Sequence, residues 1–140
     1  MTKRYMLDTN IVSQLLREHP QVLGRVLATP MESLCISSIT EGELLFGLAN
    51  NPANVKLKQA VQELLRRVDS IPWDSPAARK YGEVRADMQQ KGKGIGNLDL
   101  LIAAHAIAID AILVTNDQAK RQVPNLEIED WTNKPIELPH

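Results

Sequence analysis

Short apolar runs alternate with longer segments of helical periodicity along this sequence, and the alternation limits the folds open to it. Runs such as Tyr5–Leu7 and Ala111–Val114 have three or four residues and are almost wholly apolar, which is typical of strands buried on both faces. Such strands alternating with helices predict an α/β fold with a mainly parallel sheet covered on both sides. The predicted strands are 5–7, 34–36, 111–114 and 126–128, and residues 70–72 are predicted to be a brief extended piece. The predicted helices are 10–18, 20–29, 38–49, 55–68, 75–90 and 97–109.

The predicted helix 97–109 differs from the others because it is apolar on nearly every side. A helix of this kind belongs in the centre of a protein. Its His105 is flanked by alanines, and we interpret a lone histidine in such a helix as a hydrogen-bonded core residue and not as a ligand.

The composition suits one globular domain. The 140 residues are 44% apolar and 24% charged, enough for one core and too few for two domains, so we predict a single domain over residues 1–140. The 16 basic and 17 acidic residues give a net charge of −1. Nucleic-acid binders often carry a large positive excess, so either nucleic acid is not the partner or the basic residues are local and offset by an acidic site.

The cysteine content and the apolar runs bear on location. Cys35 is the only cysteine, which fits a reducing compartment. Asp8 interrupts the place where a signal peptide would have its apolar stretch. The longest uncharged apolar run, Leu100–Ile109, is far shorter than the ~20 residues of a membrane span. We therefore expect a soluble cytoplasmic protein that makes no membrane contact.

Four acidic residues occupy places where a parallel sheet puts function. Asp8 ends the first predicted strand and Asp117 follows a later one, and ligands of open α/β sheets bind at the carboxyl ends of strands. Asp99 opens the buried helix, and Glu43 lies within a mostly apolar helix. Buried carboxylates are costly unless they are paired, hydrogen-bonded or metal-bound, and no basic partner stands out nearby in sequence. Oxygen ligands of this kind favour Mg²⁺ or Mn²⁺.

Each acidic residue also has a purely structural interpretation. Asp8 and Asp117 have the sequence context of helix N-caps, and Asp99 would complement the dipole of its helix from the first turn. Glu43 alone would suit an exposed helix position. From spacing alone both interpretations stay open.

Five stretches resemble motifs of the PIN domain, and most of all those of the VapC toxins of bacterial type II toxin–antitoxin modules. The resemblance covers essentially the whole chain. The stretches are Met6–Asn10 (MLDTN), Ile36–Leu44 (ISSITEGEL), Ile95–Ala106 (IGNLDLLIAAHA), Val114–Asp117 (VTND) and Pro124–Trp131 (PNLEIEDW). One departure is Asn97, since close relatives often have proline after the glycine of that stretch; we expect no consequence for the ligands.

The resemblance implies a site and a fold. It implies a PIN-like three-layer α/β/α sandwich with a short-stranded central sheet. It also assigns the family's metal-binding positions and the polar residues that support them. The implied metal ligands and catalytic residues are Asp8, Glu43, Asp99 and Asp117, and the implied supporting residues are Thr9, Asn10 and Thr115.

The resemblance also implies an activity and partners. Family members are Mg²⁺- or Mn²⁺-dependent endoribonucleases, many of which cut tRNA by metal-activated attack of water on a phosphodiester. They commonly form homodimers, are neutralised by a VapB antitoxin, and contact operator DNA only through it. We expect RNA phosphates to meet basic residues on or just after the predicted helix 75–90, which are Arg79, Lys80, Arg85, Lys91 and Lys93.

Other functional classes fit the sequence less well. A haloacid-dehalogenase-type phosphatase needs a second aspartate two residues after the first, where this chain has Asn10. A receiver domain needs an aspartate at the end of a mid-chain strand, but residues 50–60 predict a turn that enters a helix. A catalytically inactive PIN scaffold that binds RNA or protein is the remaining alternative, and the four filled acidic positions argue against it.

Two neighbouring glutamates receive different predicted roles. Glu41 and Glu43 point about 200° apart on a helix, so only one of them faces a metal. Ser38 and Glu41 have the spacing of a capping box, in which their side chains bond each other's backbone N–H groups. We therefore assign Glu41 to the helix start and Glu43 to the metal.

Overall fold

The computed structural model describes residues 3–133, so residues 1–2 and 134–140 of the predicted domain lie outside the described range. The strands are β1 (Tyr5–Leu7), β2 (Leu34–Ser37), β3 (Asp69–Ile71), β4 (Ile112–Val114) and β5 (Ile128–Glu129). The helices are α1 (Thr9–Leu16), α2 (Pro20–Ala28), α3 (Ser38–Ala49), α4 (Val55–Arg67), α5 (Ser75–Gln90) and α6 (Asn97–Ala108), with short 3-10 helices at Met31–Ser33 and Gln118–Gln122.

The five strands form one sheet in the order β3-β2-β1-β4-β5, and every pair of neighbours is parallel. The prediction of an α/β fold with a mainly parallel sheet is therefore confirmed. β1 is the central strand, with Met6 beside Cys35 of β2 and Leu113 of β4. The order places the ends of β2, β1 and β4 next to one another at one edge.

The two faces of the sheet are covered by different helices, because successive strand residues point to opposite sides. Leu7 and Val114 face a core that includes Ile11 of α1, Val22 of α2 and Val61 of α4. The alternate strand residues face α6. This second core consists of Met6, Cys35 and Leu113 from the strands together with Ile102, Ala106 and Ala111.

Helix α6 is central, as its apolar sequence predicts. All residues from Ile102 to Ala106 are buried, and α5 covers its outer side through Val84 and Met88. Helices therefore lie on both faces of the sheet, which confirms the predicted sandwich. Across residues 3–133, no helix is both long enough and apolar enough to cross a bilayer.

The capping box predicted at the start of α3 is not formed. The N-cap is Ser37, whose Oγ accepts the Ile39 N–H at 3.1 Å. Ser38 instead accepts the Trp73 N–H at 3.0 Å, and Glu41 accepts the Ser70 hydroxyl at 2.8 Å. The N-cap lies one residue earlier than the capping-box pattern predicts, so Ser38 and Glu41 are free to hold the segment around β3. Glu41 keeps a structural role, but with a different partner.

His105 is a buried core residue, as the sequence indicated. Its Nδ1 lies 2.8 Å from Oγ of Ser37, so the imidazole ties α6 to the residue that caps α3. Burial lowers the pKa of His105 below its ordinary value, although the charge of Asp74 acts in the opposite direction. The folded protein therefore favours the neutral ring.

A neutral buried histidine makes stability depend on pH. Because the folded-state pKa of His105 is lowered, the unfolded chain binds more protons once the pH falls below about 6.5, and the free energy of unfolding decreases there. Denaturant unfolding at about pH 7.5 and about pH 5.5 should show this decrease, and His105→Gln should reduce it. If the free energy of unfolding decreased equally in the wild type and in His105→Gln, His105 would not be the source of the pH dependence.

Candidate active site

The sheet order brings the four predicted acidic residues to one edge. Asp8 directly follows β1, and Asp117 comes three residues after β4, which pairs with β1. Glu43 lies one turn into α3, which follows β2, the other neighbour of β1. Asp99 lies in the first turn of α6. This is the carboxyl edge of a parallel sheet, where α/β proteins bind ligands.

Asp8 is the most deeply buried of these residues, with 1% of its surface exposed. Its Oδ1 accepts the Thr9 N–H at 2.9 Å, which caps α1. Its Oδ2 accepts the Thr115 hydroxyl at 2.8 Å and also the ammonium of Lys120. Donors from three segments therefore fix both oxygens of this carboxylate.

Lys120 is a residue of this site that the sequence analysis did not predict. It comes from the 3-10 helix Gln118–Gln122, is only 1% exposed, and bridges Asp8 and Asp99. Its Nζ lies 3.1 Å from Asp99 Oδ1. The signal available in sequence was its position three residues after Asp117, but its polar neighbours are typical of an exposed turn. Two of the four acidic residues, Asp8 and Asp99, thus share a basic partner.

Asp99 is the more accessible end of this ion pair, with 44% of its side chain exposed. Gly96 precedes α6 as its N-cap residue, and a Cβ placed there would lie 3.2 Å from Asp99 Oδ2. A side chain at position 96 would therefore require the Asp99 carboxylate to shift slightly. The glycine of the Ile95–Gly96 pair thus contributes space for Asp99 to lie over the start of its helix.

Glu43 is connected to Asp8 through Thr9. The Thr9 hydroxyl donates to Glu43 Oε1 at 2.8 Å, while the Thr9 N–H donates to Asp8. Since that hydroxyl has one hydrogen, the Thr40 hydroxyl 3.0 Å away donates to Thr9. Thr9 therefore links two of the acidic side chains, Asp8 and Glu43.

The backbone of Asp117 is connected to the Asp8 carboxylate through the Thr115 hydroxyl. The Asp117 N–H donates to Thr115 Oγ1 at 3.1 Å, and Asn10 Nδ2 lies 3.4 Å from the same oxygen. The Asp117 side chain caps the 3-10 helix by accepting the Ala119 N–H at 3.0 Å. Asn10 Oδ1 is buried and has no hydrogen-bond partner among residues 3–133.

The arrangement suits a hard cation held by few protein ligands. Within residues 3–133, no group of three or more His, Cys, Asp or Glu side chains is placed so that it could hold a metal ion. Asp8 and Asp99 nevertheless converge on one cation, the Lys120 ammonium. Mg²⁺ commonly uses one or two carboxylates and takes its other ligands from water and phosphate. This oxygen donor set therefore fits Mg²⁺ or Mn²⁺.

The single cysteine does not contribute a nucleophile to this edge. Cys35 is buried in the sheet, and burial raises the pKa of its thiol to about 11. A thiol with such a pKa stays protonated near neutral pH and is chemically inert.

Comparison with known proteins identifies the family. The model of the PIN domain matches residues 5–126, which include all four acidic residues and Lys120. The chain belongs to the PIN-domain family.

Relatives and solved structures narrow the similarity further, to VapC proteins. The chain is 38% identical to Ribonuclease VapC2 of Rickettsia felis, over 91% of this chain and 97% of the relative. It is 31% identical to the tRNA(fMet)-specific endonuclease VapC of Salmonella typhimurium, over 91% of this chain and 98% of that relative. A solved structure of VapBC2 from Rickettsia felis, bound to a promoter DNA fragment, contains a chain of similar fold. The two chains superpose with a TM-score of 0.84 and are 36% identical, over 91% of this chain and 98% of that chain.

Proposed function

We propose that the chain is a single-domain endoribonuclease that uses Mg²⁺ or Mn²⁺ to hydrolyse phosphodiester bonds. The observation that carries the proposal is the convergence of Asp8 and Asp99 on one cation at the carboxyl edge of the sheet. The bound ion would polarise the phosphodiester and lower the pKa of the attacking water.

The residues of the chain have distinct roles in this proposal. Asp8 is the fixed ligand, because donors hold both of its oxygens before any ion binds. Asp99 is the accessible ligand, close to where the substrate arrives. Glu43, oriented by Thr9, and Asp117, joined to Asp8 through Thr115, flank them and hold the attacking water or complete the ligand set.

Relatives and surface charge support RNA, and tRNA in particular, as substrate. One relative is named a tRNA(fMet)-specific endonuclease and another a ribonuclease. Lys80 of α5 and Lys91, the residue that follows this helix, make exposed ion pairs with Glu83 and Asp87 of α5. Exposed pairs of this kind contribute little stability, so these lysines can exchange their partners for RNA phosphates. A tRNA substrate would place the activity in the cytoplasm.

The same similarity supports a set of partners. The solved VapBC2 structure contains promoter DNA, which supports a VapB-type antitoxin as the neutralising partner and as the link to operator DNA. An anionic site of this kind would accept a basic side chain of the antitoxin. We also propose a homodimer, as implied by the family resemblance. A catalytically inactive scaffold that binds RNA or protein is the alternative, and the activity tests below separate the two.

Metal removal tests the reaction directly. Purified protein should cleave tRNA with Mg²⁺ or Mn²⁺, and EDTA should abolish cleavage until metal is added in excess, because water activation is assigned to the ion. Gel analysis of labelled tRNA measures this. Asp8→Asn and Asp99→Asn, purified in the same way, control for contaminating nucleases and should be inactive. Full activity in EDTA would contradict the proposal.

The two glutamates of α3 provide a matched pair of variants. Glu43→Gln should lower the cleavage rate by about 100-fold or more, because the carboxylate charge is lost while the amide oxygen can still accept the Thr9 hydroxyl. Glu41→Gln should keep cleavage and lower the free energy of unfolding by at most about 1 kcal/mol, through a weakened bond to Ser70. An inactive Glu41→Gln beside an active Glu43→Gln would reverse the assignment.

Growth after induced expression tests the toxin role. The wild-type chain should arrest growth, and co-expression of the small protein encoded beside it should relieve the arrest, since the antitoxin would fill the acidic site. Glu43→Gln, expressed to the same level, should be harmless. Arrest by both proteins would mean that binding and not cleavage is toxic, which would favour the inactive scaffold.

A further inference from the structure

The buried Lys120 is not used by the proposed reaction, and its position is unusual for a lysine. Its ammonium is almost fully withdrawn from water and contacts two carboxylates that the proposal assigns to a metal ion. Lysine is rarely buried unless it is paired, so these contacts account for its burial. They also place a positive charge where a divalent cation is expected.

The contacts leave little room for a second cation at the same oxygens. Asp8 Oδ2 already accepts the Thr115 hydroxyl and the Lys120 ammonium, and Oδ1 accepts the Thr9 N–H. On the Asp99 side, Oδ1 is contacted by the same Lys120 ammonium at 3.1 Å. An ion that binds both carboxylates from this side must displace the ammonium or accept its repulsion.

We propose that Lys120 is a tethered cation that competes with the metal: it neutralises Asp8 and Asp99 in the metal-free protein and must leave them before a divalent ion bridges both. This inference rests on the proposed metal-dependent function and adds a positioning residue to the site. It commits the wild-type protein to weaker metal binding than its carboxylates alone would give.

The side chain and its backbone are suited to this exchange. The lysine stem has four rotatable bonds, so the ammonium can swing away while the backbone stays in place. The neighbouring Gln118 and Arg121 are exposed, so water lies close on either side of the 3-10 helix. The same contacts stabilise the metal-free fold, because they offset the repulsion between two clustered carboxylates.

Titration with Mn²⁺ alone, without RNA, tests the proposal on the full metal-free chain. Isothermal calorimetry should give a Kd for Lys120→Met about tenfold lower than for the wild type. In EDTA the Tm of Lys120→Met should be lower than that of the wild type. Saturating Mn²⁺ should raise the Tm of Lys120→Met by more than it raises the Tm of the wild type. Lys58→Met, which removes an exposed lysine of α4, should change neither quantity.

Two further variants keep the test decisive if Lys120→Met does not fold. Lys120→Gln removes the charge but keeps a donor for Asp8, and it should also bind Mn²⁺ more tightly. Lys120→Arg keeps the charge and should restore binding close to that of the wild type. A merely structural role would not tighten metal binding. Equal or weaker Mn²⁺ binding by both neutral variants would therefore overturn the competition.

The outcome also separates this inference from the proposed function. If the wild type binds Mn²⁺, Asp8→Asn does not, and the neutral Lys120 variants bind no more tightly, the metal site stands and the competition fails. If neither the wild type nor any Lys120 variant binds Mn²⁺, the proposed metal-dependent function and the proposed competition both fail.

Discussion

The burial of Asp8 is the constraint on which the rest of the site depends. A carboxylate at the end of a central strand, almost without exposure to water, is stable only if its charge is offset by donors or cations. Three separate segments meet this requirement: the start of α1, the residue after β4, and Lys120 of the 3-10 helix. The packing of these segments around β1 is therefore coupled to the charge of one side chain.

Most of the fold was predictable because hydrophobic periodicity reports burial directly. The three-residue apolar strands and the all-round apolar α6 have no stable place except in a sheet covered by helices. The errors lie at ends of elements, where side chains choose between partners. β5 begins two residues later than its apolar run, and Ser37 caps α3 although Ser38 and Glu41 fit the capping pattern. Ser38 and Glu41 form hydrogen bonds with Trp73 and Ser70 and not with each other's backbone. The local sequence could not predict these partners, because they lie 35 and 29 residues further along the chain.

The candidate site was predictable in part. The positions of its acidic residues follow from strand ends and family motifs, but Lys120 does not, because its burial depends on Asp8, which lies 112 residues earlier. The structural and functional interpretations of the acidic residues also prove compatible. Asp8 and Asp117 do cap helices, and the same hydrogen bonds fix carboxylates at the edge of the sheet where a ligand would bind. From sequence spacing alone, helix capping and ligand binding were alternative roles for these aspartates. In the structure one carboxylate can have both roles.

The strand order has a consequence for the timing of synthesis. β1 is made first, yet Asp8 acquires its hydroxyl and ammonium partners only from residues more than 100 positions later. At the ~5–20 residues per second of translation, those partners emerge from the ribosome seconds after Asp8 does. A nascent chain therefore carries an incomplete site until the 3-10 helix Gln118–Gln122 has been made. The buried carboxylate of Asp8 thus gains its full set of partners only after four of the five strands of its sheet have been made.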